Sequence, residues 1–232
     1  MKPTVLLFDI DGTLISTGGA GRRAVDAAFA ECHGRADACT AFSFAGMTDR
    51  AIVRQGLQTL GAEVDDSKVD VVIDVYLRHL EREVQRMEAA RYVVHAGMVE
   101  AVHAGLGAGF AVGLGTGNVK RGAEIKLRRV GLDVHFRFGG FGDDHELRPE
   151  LIRRGAERGA AQLGVALSEA RVVVIGDTPK DVSAAQAIGA ESVGVATGDF
   201  SVEALRACGA TWAFSDLASP EAREVLLRGA RG

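Results

Sequence analysis

Five short apolar runs limit what this chain can fold into: Thr4 to Phe8, Phe110 to Leu114, Arg171 to Ile175, Ser192 to Val195 and Thr211 to Phe214. Helical patterns separate most of them, and strands alternating with helices predict a parallel sheet covered by helices on both faces. The runs do not alternate apolar with polar. In Val172-Val173-Val174-Ile175 every side chain is apolar, as burial on both faces of a sheet requires. The expected fold is α/β, a doubly wound parallel sheet with a Rossmann-like core. Ligands in such sheets bind beyond the carboxyl ends of the strands, so the chemistry is to be read there.

About 100 residues separate Phe8 from Phe110, far more than a single helical crossover needs. The excess reads as helical: Ala20 to Glu31, Thr48 to Leu60, then a long pattern with Val69, Ile73, Tyr76, Leu80, Val84 and Met87 at three- and four-residue spacing. The expected division is an α/β catalytic core formed by 1–15 and 93–232, with residues 16–92 inserted as an all-helical cap domain. The long apolar stripe is expected to be a packing face.

The balance of 27 Lys and Arg against 31 Asp and Glu gives a net charge of −4, with no basic block of the kind that binds nucleic acid. The apolar run Val5 to Ile10 is too short for a signal sequence or a membrane span. Three cysteines without CxxC spacing argue against a disulfide framework and for a reducing compartment. The expectation is a cytoplasmic protein, monomer or homodimer, with neither nucleic acid nor membrane as partner. Six scattered histidines and the absence of HExxH, GxSxG, GxGxxG after a strand and GxxxxGK[ST] disfavour zinc, nucleophile-elbow, dinucleotide and P-loop chemistry.

Three strand ends remain. Asp9-Ile10-Asp11-Gly12-Thr13 places two carboxylates two residues apart, a repulsion that a cation or a division of labour must relieve. One can stay ionised as nucleophile or metal ligand while the other carries a proton. Gly115-Thr116-Gly117-Asn118 opens a helix whose free N–H groups suit an anion. Gly176-Asp177-Thr178-Pro179-Lys180-Asp181 adds two more carboxylates, Asp181 about a turn into the next helix. An all-oxygen crevice of this kind suits a hard divalent cation such as Mg²⁺.

In this order on successive strands, the three segments resemble motifs I, II and IV of the haloacid dehalogenase (HAD) superfamily, and the helical insertion resembles its C1-type cap. The similarity runs over essentially the whole chain and is closest to the phosphoglycolate phosphatase-like hydrolases, whose G-x-T-D element Gly46, Thr48 and Asp49 resemble. The resemblance implies a Mg²⁺-dependent phosphomonoesterase acting on a small phosphorylated metabolite. Asp9 would be the nucleophile that forms an aspartyl-phosphate, and Asp11 the general acid and base. Asp9, the backbone carbonyl of Asp11, Asp177 and Asp181 would hold the metal. Thr116, Gly117 and Asn118 would hold the phosphoryl oxygens. Motif III ordinarily supplies a lysine, and here either Lys126 or Arg148 fills that charge-neutralising role, with Lys126 slightly preferred for its reach. Arg22, Gly46, Thr48 and Asp49 are candidates for substrate selection, Arg22 by pairing with a carboxylate. The acidic run Asp143 to Glu146 is expected to rim the crevice. Two alternatives remain: a phosphomutase on a sugar phosphate, and a non-catalytic phospholigand-binding protein.

Overall fold

A computed structural model of the chain describes residues 2–228. In chain order its strands are β1 (Thr4–Phe8), β2 (Ile15–Ser16), β3 (Val93–Val94), β4 (Ala111–Gly115), β5 (Gly139–Gly140), β6 (Arg171–Gly176), β7 (Glu191–Val195) and β8 (Trp212–Phe214). Its α-helices are α1 (Ala20–His33), α2 (Asp49–Thr59), α3 (Asp66–Arg86), α4 (Met98–Gly107), α5 (Lys120–Arg128), α6 (Arg148–Gln162), α7 (Pro179–Ala187), α8 (Val202–Ala207) and α9 (Pro220–Leu226). Six strands form one parallel sheet in the order β5-β4-β1-β6-β7-β8. This is the doubly wound α/β architecture expected from the sequence.

The two-residue period of the strands divides the core. Leu6 and Phe8 of β1, with Val173 and Ile175 of β6, face one apolar cluster that includes Met98 and Val102 of α4. Val5 and Leu7, with Val172 and Val174, face the other, against Leu151, Ile152 and Ala156 of α6 and Ala184 and Ala185 of α7. Both faces of the central strands are therefore dry, and each large aliphatic side chain so buried contributes about 2 kcal/mol. From β1 the chain winds outward to β4 and β5, then crosses back to β6 on the other side of β1 and winds outward to β7 and β8. That switch point opens a crevice at the strand ends.

The second strand starts one residue later than the apolar run suggests, because the Phe110 N–H bonds back to Gly105 O and closes the end of α4. β5 is absent from the sequence reading altogether. Gly139 and Gly140 carry no side-chain pattern, yet they pair with Leu114 and Gly115 at the sheet edge. α6 lies so close to this edge that a Cβ on Gly140 would overlap the Leu151 carbonyl oxygen. Gly140→Ala is expected to cost about 3 kcal/mol, at the upper end of overpacking losses because backbone must move. A urea titration that found it within about 0.5 kcal/mol of wild type would contradict this close approach.

The ends of the helical insertion run side by side, because Ile15 pairs with Val94 and Ser16 with Val93 in an antiparallel ribbon. Between them α3 buries Val69, Val72, Ile73, Val75, Tyr76, Leu80 and Val84, a wider stripe than the spacing alone outlines, against α1 and α2. Thr48 caps α2 by accepting from Ala51 N at 3.2 Å, and Asp65 caps α3 by accepting from Lys68 N at 2.9 Å. Each such cap is worth about 1 kcal/mol. Among the described residues no helix is long and apolar enough to cross a membrane, and Cys32, Cys39 and Cys208 are free thiols.

Candidate active site

Three neighbouring strands of the sheet end in Asp9, Thr116 and Asp177, which brings the three sequence motifs together. Asp9 follows β1 directly, and its N–H bonds to Ile175 O of β6 at 2.9 Å, so the sheet ladder fixes its backbone. One carboxylate oxygen accepts from Ile10 N at 2.8 Å. The chain then turns sharply, with Gly12 at a φ of +80°. A Cβ there would also overlap the Asp177 carboxylate, so both the turn and the close approach require glycine. Thr13 donates its hydroxyl to Asp177 Oδ1 at 2.7 Å. Thr197, after β7, donates to Gly12 O at 2.6 Å, a support the sequence reading did not find.

Asp9, Asp177 and Asp181 are buried, and each offers an oxygen within 4.8 Å of the others. Burial, opposed by Arg148 and the Thr116 hydroxyl and reinforced by Asp181, pushes the Asp9 carboxyl up to about 6. Burial and the carboxylates of Asp181 and Asp9 push Asp177 up to about 8. Asp181 is the third helical residue of α7, where Thr178 N donates to it at 3.1 Å and the Thr178 hydroxyl at 2.7 Å. Among the described residues Arg148 is the one cation paired with the cluster, donating to Asp9 Oδ2 at 3.2 Å and also pairing with Asp181. Burial lowers the Arg148 pKa, but the surrounding carboxylates outweigh it and hold the group above its ordinary value. Three carboxylates against one guanidinium leave negative charge in excess, and an all-oxygen donor set of this size fits a hard divalent cation.

Asp11 lies apart from this cluster and opens onto the cavity, its side chain 44% exposed. Its Oδ2 accepts from Asn118 Nδ2 at 2.8 Å and from Lys126 Nζ at 2.7 Å. Lys126 also donates to Asn118 Oδ1 at 2.6 Å. Burial lowers the Lys126 pKa, but Asp11 and Asp49 outweigh it and hold the ammonium above its ordinary range. Thr116 is fully buried, and its Oγ1 accepts from Asn118 Nδ2 at 2.8 Å and from Asn118 N at 3.3 Å. Neither Lys126 nor Arg148 is a solvated charge, since both are over nine-tenths buried. The two differ in partner: Arg148 reaches Asp9, whereas Lys126 reaches Asp11.

Residues between β2 and β3 line the cavity as well. Asp49 N donates to Gly117 O at 2.8 Å, and Asp49 Oδ2 accepts from Val119 N at 2.9 Å, a carboxylate at the N-terminus of α5. Burial pushes Asp49 up to about 6 against Lys126 and the Val119 amide. Gly46 O accepts from Arg148 Nε at 3.3 Å, and the Thr48 hydroxyl donates to Glu146 O at 3.4 Å. Arg22 stacks over Phe44 at 4.4 Å and bonds to Asp26 and to Cys39 O, while Arg23 turns away to Glu83 and Gly18 O. The cavity is about 500 Å³, and Arg22, Phe44, Asp49, Tyr76, Asn118 and Lys126 line it with the strand-end carboxylates. Tyr76, on the stripe expected to be a packing face, lines the cavity as well. The acidic run does not rim this space: Asp143 accepts from Lys120 N, Asp144 pairs with Arg158, and Glu146 pairs with Arg54 of α2. A hollow of about 680 Å³ beside Phe136, Arg137 and Phe138 holds none of the strand-end groups.

A parallel sheet that gathers carboxylates, two cations and a helix N-terminus at one crevice is built to hold an anionic ligand together with a cation. The family of haloacid dehalogenase-like hydrolases matches residues 6–186, and the chain belongs to that family. No curated protein matches it. Among solved structures, a predicted phosphatase from Clostridium acetobutylicum is 20% identical, with a TM-score of 0.69, covering 98% of this chain and 100% of that one. A hydrolase from Pseudomonas syringae is 21% identical, with a TM-score of 0.69, covering 93% of this chain and 94% of that one. CbbY from Rhodobacter sphaeroides in complex with phosphate is 17% identical, with a TM-score of 0.69, covering 94% and 96%. At these identities the likeness is one of fold.

Proposed function

We propose that the chain is a Mg²⁺-dependent phosphomonoesterase acting on a small phosphorylated metabolite, with residues 16–92 as the cap that encloses the leaving group. One observation carries the reading: buried Asp9 sits within the carboxylate cluster, while Asp11, two residues on, faces the cavity with an oxygen free of that cluster. Family membership and the phosphate in CbbY point the same way. In the proposed reaction an Asp9 oxygen bonds to phosphorus as the bond from phosphorus to the leaving oxygen breaks, and Asp11 gives that oxygen its proton. Asp11 then takes a proton from water, whose oxygen bonds to phosphorus as the bond to Asp9 breaks. Two easier displacements replace one hard one.

Asp9, the Asp11 carbonyl, Asp177 and Asp181 would hold Mg²⁺, which when bound supplies positive charge against the phosphoryl oxygens and the nucleophile. Arg148 neutralises the same side of the site, and its fork suits phosphate. Thr116 and the Gly117 and Asn118 amides would take the phosphoryl oxygens of a bound substrate, where charge spreads over the transferring group. A cavity of about 500 Å³ suits a small substrate, and closure of the cap over a bound substrate would exclude bulk water.

The test is inorganic phosphate release from a panel of small phosphomonoesters, including 2-phosphoglycolate and sugar phosphates, with Mg²⁺ or EDTA. Release that depends on the metal is the expected result. Isomer formation on adding a sugar bisphosphate, without phosphate release, would replace the reading with a phosphomutase. No turnover of any compound by the folded protein would leave ligand binding alone.

A further inference from the structure

We infer that Lys126 is a positioning residue for Asp11: it holds the acid that serves the leaving group, and does not act on the nucleophile or the phosphoryl group. The inference rests on the phosphomonoesterase reading and deepens it by dividing the two buried cations between the two aspartates. Lys126 Nζ lies 2.7 Å from Asp11 Oδ2 and 2.6 Å from Asn118 Oδ1, and Asn118 Nδ2 lies 2.8 Å from the same Asp11 oxygen. The three groups close a triangle in which each fixes the other two. Among the described residues these are the only hydrogen bonds the Asp11 carboxylate makes, so no other hydrogen bond sets its orientation. With Oδ2 held by two donors, Oδ1 is left for the leaving oxygen.

The lysine is itself well anchored. Tyr92, at the end of the helical insertion, donates its hydroxyl to Lys126 O at 2.7 Å, and Asp49 holds the N-terminus of the same helix through Val119 N. Lys126 sits one turn beyond Gly122 and Ala123 on the buried stripe of α5, so its stem is packed and its ammonium cannot swing to solvent. Arg148, on the other side of the site, already serves Asp9 and Asp181. A lysine that neutralised the transferring phosphoryl group would assist every substrate alike. One that positions Asp11 matters only where the leaving oxygen needs a proton.

That difference can be measured in a single turnover with Mg²⁺ present, by comparing p-nitrophenyl phosphate, whose phenolate leaves without a proton, with an alkyl phosphate, whose alkoxide does not. Lys126→Met should slow transfer from the alkyl phosphate at least about 100-fold, the scale of a lost general acid, and transfer from p-nitrophenyl phosphate less than about tenfold. KM for both should stay within about threefold, and Asp11→Ala should give the same pattern. Lys126→Gln, which keeps a donor in the same space, should recover part of the alkyl phosphate rate, and it carries the comparison if the methionine variant does not fold. Equal slowing of both substrates, or KM rising for both, would overturn the inference while leaving the phosphatase reading in place. A wild type that releases phosphate from neither compound would overturn that reading, and the inference with it.

Discussion

Asp9→Asn should leave a folded protein whose phosphate release is below about one part in 10⁴ of wild type, because the group that forms the covalent bond is gone while the cavity is not. The substitution keeps shape and volume. An amide oxygen can still accept from Ile10 N, and Arg148 retains its pairing with Asp181. The lost charge is one that burial already disfavours, since the carboxyl is pushed up to about 6, so in EDTA the variant should unfold no more than a few degrees below wild type. Acid quenching of the wild type during turnover should trap phosphate on the chain, and the variant should trap none. Residual activity above about one per cent in the folded variant would mean that Asp9 is not the nucleophile.

The position of Asp9 was legible in the sequence because a strand buried on both faces must be an unbroken apolar run, and the first residue to break it stands at the strand end. The same logic located Thr116 and Asp177, and the parallel sheet follows from those runs. β5 was not legible, because two glycines carry no side-chain period and their pairing depends on the neighbouring β4. Lys126 was legible as a candidate cation, preferred for its reach, but its pairing with Asp11 and Asn118 was not. It stands three residues after Ala123 and four after Gly122, on the inward stripe of a helix whose other faces are charged, but a lysine at such a position is ordinarily a solvated one. Arg148 precedes Pro149 at the start of α6, and its burial follows from the crevice into which that helix start is aimed. Tyr76 belongs to a packing stripe and lines the cavity as well, since one helix face can serve both where the core meets the site. Glu146 and Arg54 meet across 92 residues of chain, a contact no local pattern encodes.

The carboxylate cluster should make the metal-free protein less stable as pH rises, and the metal should reverse this. An unfolded aspartate titrates near 3.8, whereas folded Asp9 is pushed up to about 6 and Asp177 to about 8. Between about pH 4 and 8 the metal-free folded state therefore binds more protons than the unfolded state, and stability falls across that window. Mg²⁺ displaces those protons, so its affinity rises with pH and its binding releases them. The upward shift in Tm caused by Mg²⁺ is accordingly expected to be larger at pH 8 than at pH 5.5. Asp177→Asn sharpens the test, because the amide oxygen can keep the Thr13 hydroxyl bond that now reaches Oδ1 at 2.7 Å while the repelling charge is removed. In EDTA at pH 8 the variant should be more stable than wild type by a few kcal/mol, the scale of such a displacement in pKa, and near pH 4 the two should converge. Mg²⁺ should no longer raise its Tm, and phosphate release should fall at least about 100-fold, the usual exchange of stability for function at a charged site. A metal-free variant less stable than wild type at pH 8, or a Mg²⁺ shift that does not change with pH, would mean that the three carboxylates do not share a cation. In that case the excess charge at the strand ends would need Arg148 and the substrate's own counter-ions to offset it.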